Sequence, residues 1–353
     1  MKKAKWTALL LTAAMSAAVL AGCGGSGDKS SEAAGSAEGG AATGSEAVAT
    51  GEKITWKLAH ISNEDHYWQK ISEEFARLVD EKTNGQIEIK IYPNSQLGSE
   101  TDVLNGILQG TCDMTITGET LSAWTPYADL LAPYFAFKNE DHMLKVLEGD
   151  IGAKIKSEIE NVGFKPLFYT LRSPRVLTSN KPVHTPADMQ NVKIRLSNSA
   201  QAIACWEAVG ASPQVMGLSE CFTALNQGVV DAQENPYDLI YSSGFYDVQK
   251  YANETNHVYC CIYFTVGKKQ FESLTPELQE AVLEASKEAQ DFGIDVYYDQ
   301  KEASKQACID KGMEINTDVD RDAFREAMSP ALKEYFGDLY SVYEEIVALG
   351  EEE

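Results

Sequence analysis

The chain has 353 residues, 44% hydrophobic and 24% charged, which is the composition of a soluble globular protein. Its 53 acidic and 30 basic residues give a net charge of −23, which argues against a nucleic-acid partner. A local arginine still recognises a small anion, because surface fields are screened over about 8 Å at physiological salt.

The first residues set the compartment. Lys2, Lys3 and Lys5 precede an apolar run over residues 8–19, too short to span a membrane and typical of a signal peptide. Leu20-Ala21-Gly22-Cys23 then matches a bacterial lipobox, so cleavage after residue 22 and lipidation of Cys23 are expected. Residues 24–51 are Gly, Ala, Ser, Thr and Glu with almost nothing to bury, the composition of a flexible tether. The remainder, about 300 residues, is long for one core and natural for two domains.

Alternation at Ile54, Trp56 and Leu58 predicts a strand ending at His60. A helix follows, with Tyr67, Trp68, Ile71, Phe75, Leu78 and Val79 on one face and Gly85 as its stop. Ile87, Ile89 and Ile91 form the next strand; YPNSQLG and a helix over 100–109 lead to a third at 113–117. His60, Asn63 and Glu119 fall at or just beyond strand ends and are candidates to face a cleft. For His60 a hydrogen-bonded structural histidine is the alternative. Helical patterns at 140–148 and 150–162 precede a strand near 167–169, which leads to Arg172 and Arg175 and an extended segment at 176–179. Arg172 reads best as a hinge salt bridge.

The stretch from Asn191 to Pro236 alternates three short apolar runs with two helical patterns, hence βαβαβ in an open sheet flanked by helices. Its strands are expected over 192–196, 214–216 and 229–233. Arg195 and Asn235 stand at strand ends, where open α/β sheets hold ligands. A guanidinium and a carboxamide there suit a carboxylate. Trp206, Leu218, Phe222 and Tyr237 are the nearby apolar groups. Core packing suits Trp206, and Tyr237 is the better cleft candidate.

Residues 257–266 form another apolar run. Thr275-Pro276-Glu277 starts a helix whose apolar positions recur to about residue 311, ending at Gly312. Such a helix spans about 50 Å, longer than one small domain. Gly293 is its candidate weak point. A short strand at 313–316 and two helices complete the chain.

Of seven cysteines, Cys23 is the lipid site and the other six read as small buried hydrophobes. No zinc spacing, G-x-S-x-G, H-E-x-x-H or P-loop appears, so neither cofactor nor catalytic centre is expected.

YPNSQLG, KIRL, GASP, LSE-x-x-x-AL and DAQENP together resemble the substrate-binding subunits of tripartite ATP-independent periplasmic (TRAP) transporters. The resemblance runs from Ile54 to Leu349. It implies an α/β, two-domain periplasmic-binding-protein-like fold with a ligand cleft between domains and a long helix spanning both. It further implies that Arg195 pairs with a ligand carboxylate, that Asn235 assists, and that Arg175 and Glu119 contribute. The expected domains are residues 52–174 with 262–300, and 175–261 with 301–353. The implied function is capture of a small organic acid by a lipid-anchored extracytoplasmic monomer, and its delivery to a membrane permease. Sugar acids, C4-dicarboxylates, hydroxy or keto acids and sialic acid all remain open as ligands.

Overall fold

The computed structural model describes residue 51 and residues 53–350. The signal peptide, Cys23 and most of the tether lie outside the described residues. In chain order the first elements are β1 (Ile54–Ala59), α1 (Tyr67–Lys82), β2 (Ile87–Tyr92), α2 (Glu100–Gln109), β3 (Met114–Thr117), α3 (Glu140–Glu148) and α4 (Asp150–Asn161). The middle of the chain supplies β4 (Phe164–Ser179), β5 (Lys193–Leu196), α5 (Ala200–Ala208), β6 (Ser212–Val215), α6 (Leu218–Asn226), β7 (Ala232–Asn235) and α7 (Tyr237–Ser242). The remainder is β8 (Tyr251–Gly267), α8 (Lys268–Glu272), α9 (Pro276–Asp310), β9 (Glu314–Asn316), α10 (Arg321–Phe336) and α11 (Tyr340–Leu349).

One sheet runs through the molecule in the order β2-β1-β3-β8-β4-β7-β5-β6, with β9 on β8. Its two outer wings are parallel: β2-β1-β3 on one side and β7-β5-β6 on the other. The long strands β8 and β4 run antiparallel between them. Up to Arg172, β4 lies in the first wing, where β8 also pairs with β3. From Val176 onward β4 pairs with β7 and belongs to the second.

The β4–β8 ladder changes register between Arg172 and Arg175 and again before Leu177. Pro174, which has no N–H to donate, sits inside the first shift. Asn256, at φ 39°, sits inside the second on the facing strand. Both strands therefore kink at one level, the crossing between the wings.

Helix α1 hides the face that its apolar spacing predicts. In the first wing Phe75 of α1 meets Phe168, which stacks on Phe264 at 4.3 Å between centroids. In the second, Cys221 and Leu225 of α6, Ile240 of α7 and Val176 of β4 form a separate cluster. Trp206 is fully buried, and its indole N–H donates to the Tyr134 hydroxyl at 3.1 Å, so it is core as expected. The six cysteines among the described residues are all buried and unpaired.

Helix α9 is capped by Thr275, starts at Pro276 and runs 35 residues. It packs on α1 and β4 in the first wing and on α7 in the second. The helix spanning both halves is thus present, as is the α/β class. Gly293 faces α1 and β4: a Cβ there would stand 3.1 Å from Ile71 Cδ1, and its carbonyl accepts from Thr170 Oγ1 at 3.2 Å. No helix among the described residues is long and apolar enough to cross a membrane.

Several expected boundaries move. The run read at 257–266 is the end of a seventeen-residue strand that begins at Tyr251. The strand read at 229–233 begins three residues later, at Ala232: the chain turns at Gly228, and Val229 is half exposed. Asn235 is consequently the last residue of β7 rather than the loop residue after it. The segments read separately at 167–169 and 176–179 are one sixteen-residue strand carrying the kink.

Candidate functional site

A cavity lies between the wings at the level of the kink. The carboxyl ends of β3, β5, β6 and β7 converge on it, the place where open α/β sheets hold ligands. Three arginines line it: Arg172 and Arg175 from the kinked β4 and Arg195 from the end of β5. Glu119, Glu100 and Asn235 line it too, with Trp68, Leu218 and Leu239 as apolar walls. Past Arg195 it widens into a chamber of about 170 Å³ walled by Ser197, Asn198, Ser99 and Thr101.

The three arginines are neutralised to different degrees. Arg175 is buried and bound along one edge by Glu234: Nε and Nη2 both donate to its carboxylate, the latter at 2.8 Å. Nη2 also reaches the Glu234 carbonyl at 2.9 Å and Asn235 Oδ1 at 3.1 Å, while Glu119 stands 3.8 Å from Nη1. His257 Nε2 lies 3.1 Å from Glu234. Burial opposes the charge on Glu234, but the Arg175 guanidinium prevails and holds its carboxyl down at about 2. Asn235 Nδ2 donates to Gln233 at 2.6 Å, so its amide is engaged at both ends and positions Arg175.

Arg195 is 3% exposed and has no carboxylate partner among the described residues. Nε and Nη2 both donate to the Met216 carbonyl, at 3.1 and 2.8 Å. Burial without a counter-charge pushes its pKa down from the ordinary guanidinium value. A buried, uncompensated cation is costly in an empty protein and makes sense where an anion arrives.

Arg172 corrects an expectation. It makes no salt bridge among the described residues; its guanidinium sits over the Trp68 ring at 5.4 Å, and its buried Nε has no hydrogen-bond partner. The kink turns it into the same cavity as Arg175.

Glu119 and Glu100 supply negative charge. Glu100, the first residue of α2, was not singled out in the sequence because it reads as an ordinary first-turn acid against the helix dipole. Here it is turned inward onto the Thr117 hydroxyl. Burial, with Glu119 nearby, raises its carboxyl to about 7.

The other expected residues disperse. His60 is buried with Nε2 2.9 Å from Gln69 Oε1, and burial lowers its pKa to about 4. It is a neutral structural histidine and lines none of the cavities described here. Tyr237 follows Pro236 into α7, which turns it away from the arginines. It lines a different chamber, on the Ser173–Pro174 side of the kink, where its hydroxyl donates to Glu254 at 3.1 Å. Leu218, at the start of α6, does reach the cavity. Beside the cavity the wings also touch directly: Asn63 donates to the Ser242 carbonyl at 2.7 Å, and His66 Nε2 lies 3.0 Å from Asp238.

The profile of the bacterial extracellular solute-binding proteins, family 7 (DctP), matches residues 58–338. A solute-binding protein of Roseobacter denitrificans is 39% identical over 286 residues, covering 81% of this chain and 88% of the relative. A crystal structure of a TRAP periplasmic solute-binding protein from the same organism, with bound L-galactonate, superposes with a TM-score of 0.81 at 37% identity, covering 84% of this chain and 99% of the other. The 2,3-diketo-L-gulonate-binding periplasmic protein YiaO of Escherichia coli is 32% identical over 267 residues, covering 75% and 81% of the two chains.

Proposed function

The chain belongs to family 7 of the bacterial extracellular solute-binding proteins, and from that premise we propose how its site works. It is an extracytoplasmic binding protein that captures a small organic acid and hands it to a TRAP permease. The observation that carries the site assignment is Arg195: a buried guanidinium fixed by one carbonyl, with no counter-charge, at the end of a strand facing the cavity. The ligand carboxylate docks on Arg195. Arg175 and Arg172 add positive potential, Asn235 and Glu234 hold Arg175 in place, and Leu218 supplies apolar wall. Relatives that bind galactonate and diketogulonate support a carboxylate of sugar-acid size.

Residues 52–174 with 262–300, and residues 175–261 with 301–353, move as two units about the β4–β8 kink. The ligand touches both and favours the approach of one to the other, since contacts to both wings cannot form at once when they are apart. Cys23 carries the lipid that tethers the protein to its membrane. The protein acts as a monomer and releases its ligand chemically unchanged.

The test is titration calorimetry against small carboxylic acids. Arg195→Ala should weaken binding at least a hundredfold, in keeping with about 1.5–3 kcal/mol for each charge-assisted bond lost. Arg195→Lys should fall nearly as far, because a lysine keeps the charge but loses the planar fork. Wild-type affinity in Arg195→Ala, with the fold intact, removes the assignment.

A further inference from the structure

We propose that residues 61–66 of the first wing and helix α7 of the second form a latch, with His66–Asp238 as its buried bond, and that this latch sets how long a captured acid stays bound. The inference rests on the capture and closure read above.

Both ends of α7 are fastened to one loop. Asp238, in the first turn, has its Oδ2 3.0 Å from His66 Nε2, and the Ser242 carbonyl at the far end accepts from Asn63 Nδ2 at 2.7 Å. The loop is pre-set for this contact, because Asn63 Oδ1 accepts from the Asp65 N–H at 3.2 Å. His66 is the N-cap of α1. Its Nδ1 accepts from the Trp68 N–H at 3.2 Å, which leaves the ring proton on Nε2, to be donated to Asp238. One ring thus caps a helix of one wing and binds a helix of the other. Both residues are buried, at 3% and 7% exposure. Burial opposes the charge on Asp238, but the His66 bond and the Arg172 guanidinium prevail and hold its carboxyl below the usual range. A hydrogen bond to a charge shielded from water is a strong one, and separating the wings breaks it.

The latch lies directly behind the ligand cavity without being part of it. Neither His66 nor Asp238 lines the cavity that holds the three arginines, whereas Trp68, two residues after His66, and Leu239, next to Asp238, form its apolar walls. The His66 ring also stands edge-on to Trp68 at 4.8 Å. A ligand packed between Trp68 and Leu239 therefore seats the loop against α7, and an intact latch keeps both walls on the ligand. The bond forms only once the wings meet, after the acid has entered, and it breaks before the acid leaves. It therefore acts on the rate of release and not on the rate of entry.

The experiment is stopped-flow fluorescence on the purified protein, with Trp68 in the cavity wall as reporter. The probe is the tightest binder from a panel of four- to six-carbon aldonates, uronates and diacids. His66→Asn keeps a side-chain oxygen to cap α1 but is too short to reach Asp238, and Asp238→Ala removes the acceptor. Each should speed release at least about tenfold, or about 1.4 kcal/mol, with the entry rate within about threefold of wild type. The double variant should release no faster than the faster single variant, since both remove one bond. Asn63→Ala, which breaks the outer bond, replaces His66→Asn if that variant does not fold. Wild-type release rates in the folded variants, even with lowered stability to urea, overturn the latch and leave capture at Arg195 standing. Single effects that multiply in the double variant overturn the pairing of His66 with Asp238. Binding of no acid by the wild-type protein, after unfolding and refolding to remove carried-over ligand, overturns the capture reading and the latch with it.

Discussion

At the scale of single residues, environment separates groups that look equivalent in the sequence. Arg172 and Arg175 are three apart in an extended strand, where strict alternation sends them to opposite faces. The Ser173–Pro174 irregularity brings both into one cavity, and no local pattern announces that. The positions of Arg195 and Asn235 near strand ends were legible because one stands among the last residues of an apolar run and the other just past one. Tyr237 was misread because Pro236 starts a helix that points it elsewhere. Glu100 makes a prediction at this scale. Its carboxyl is raised to about 7 in the folded protein, so between about pH 4.5 and 7 the folded state holds more protons than the unfolded chain. Its effect is absent below that window and increasingly destabilising as the pH rises through it. Glu100→Gln should thus gain stability over wild type by about 3 kcal/mol more at pH 8 than at pH 4.5. Urea unfolding at the two pH values measures this, and an equal difference at both would show that Glu100 carries no proton linkage. Glu234 has the opposite sign: held down at about 2 by Arg175, it contributes stability above pH 4.5 that is lost as the pH falls towards 2.

At the scale of elements, the helices were the most legible part. Spacing, caps and stop signals located α1, α2, α3, α4 and α9 to within a residue or two. Strands fared less well, because a strand is defined by its partners. Val229 and Val230 have strand-forming side chains, yet the ladder with β4 begins only at Ala232. Gly293, read from the sequence as a weak point of α9, is where α9 comes close to α1. Gly293→Leu should destabilise the fold by about 1–3 kcal/mol through overpacking against the buried Ile71. Chemical denaturation of the variant tests this, and wild-type stability would mean that α9 stands off from α1 in solution.

At the scale of the molecule, the connection between wings is narrow in sequence and wide in consequence. It consists of β4 and β8 at their kink, with α9 laid across both sides. Lys301 pairs with Glu140 at 2.7 Å and, one turn on, Lys305 pairs with Glu254 at 2.6 Å, so successive turns of α9 hold an α3 residue and a β8 residue. If closure occurs about the kink, a saturating acid ligand should reduce the radius of gyration in small-angle scattering. At 100 times its dissociation constant the same ligand should stabilise the protein by about 2.7 kcal/mol. Full binding with an unchanged radius would refute closure. The sequence by itself determined the α/β class, the long helix, the family resemblance and the position of Arg195 near a strand end. These follow from periodicity, capping and residue type, all local properties of the chain. Only the tertiary structure decided which charges meet. It joined Arg172, Arg175 and Arg195 with Glu100 and Glu119, and it sent His60 and Tyr237 elsewhere. Ionisation and contact depend on burial and on neighbours from distant parts of the chain, and those exist only once the two wings are packed together.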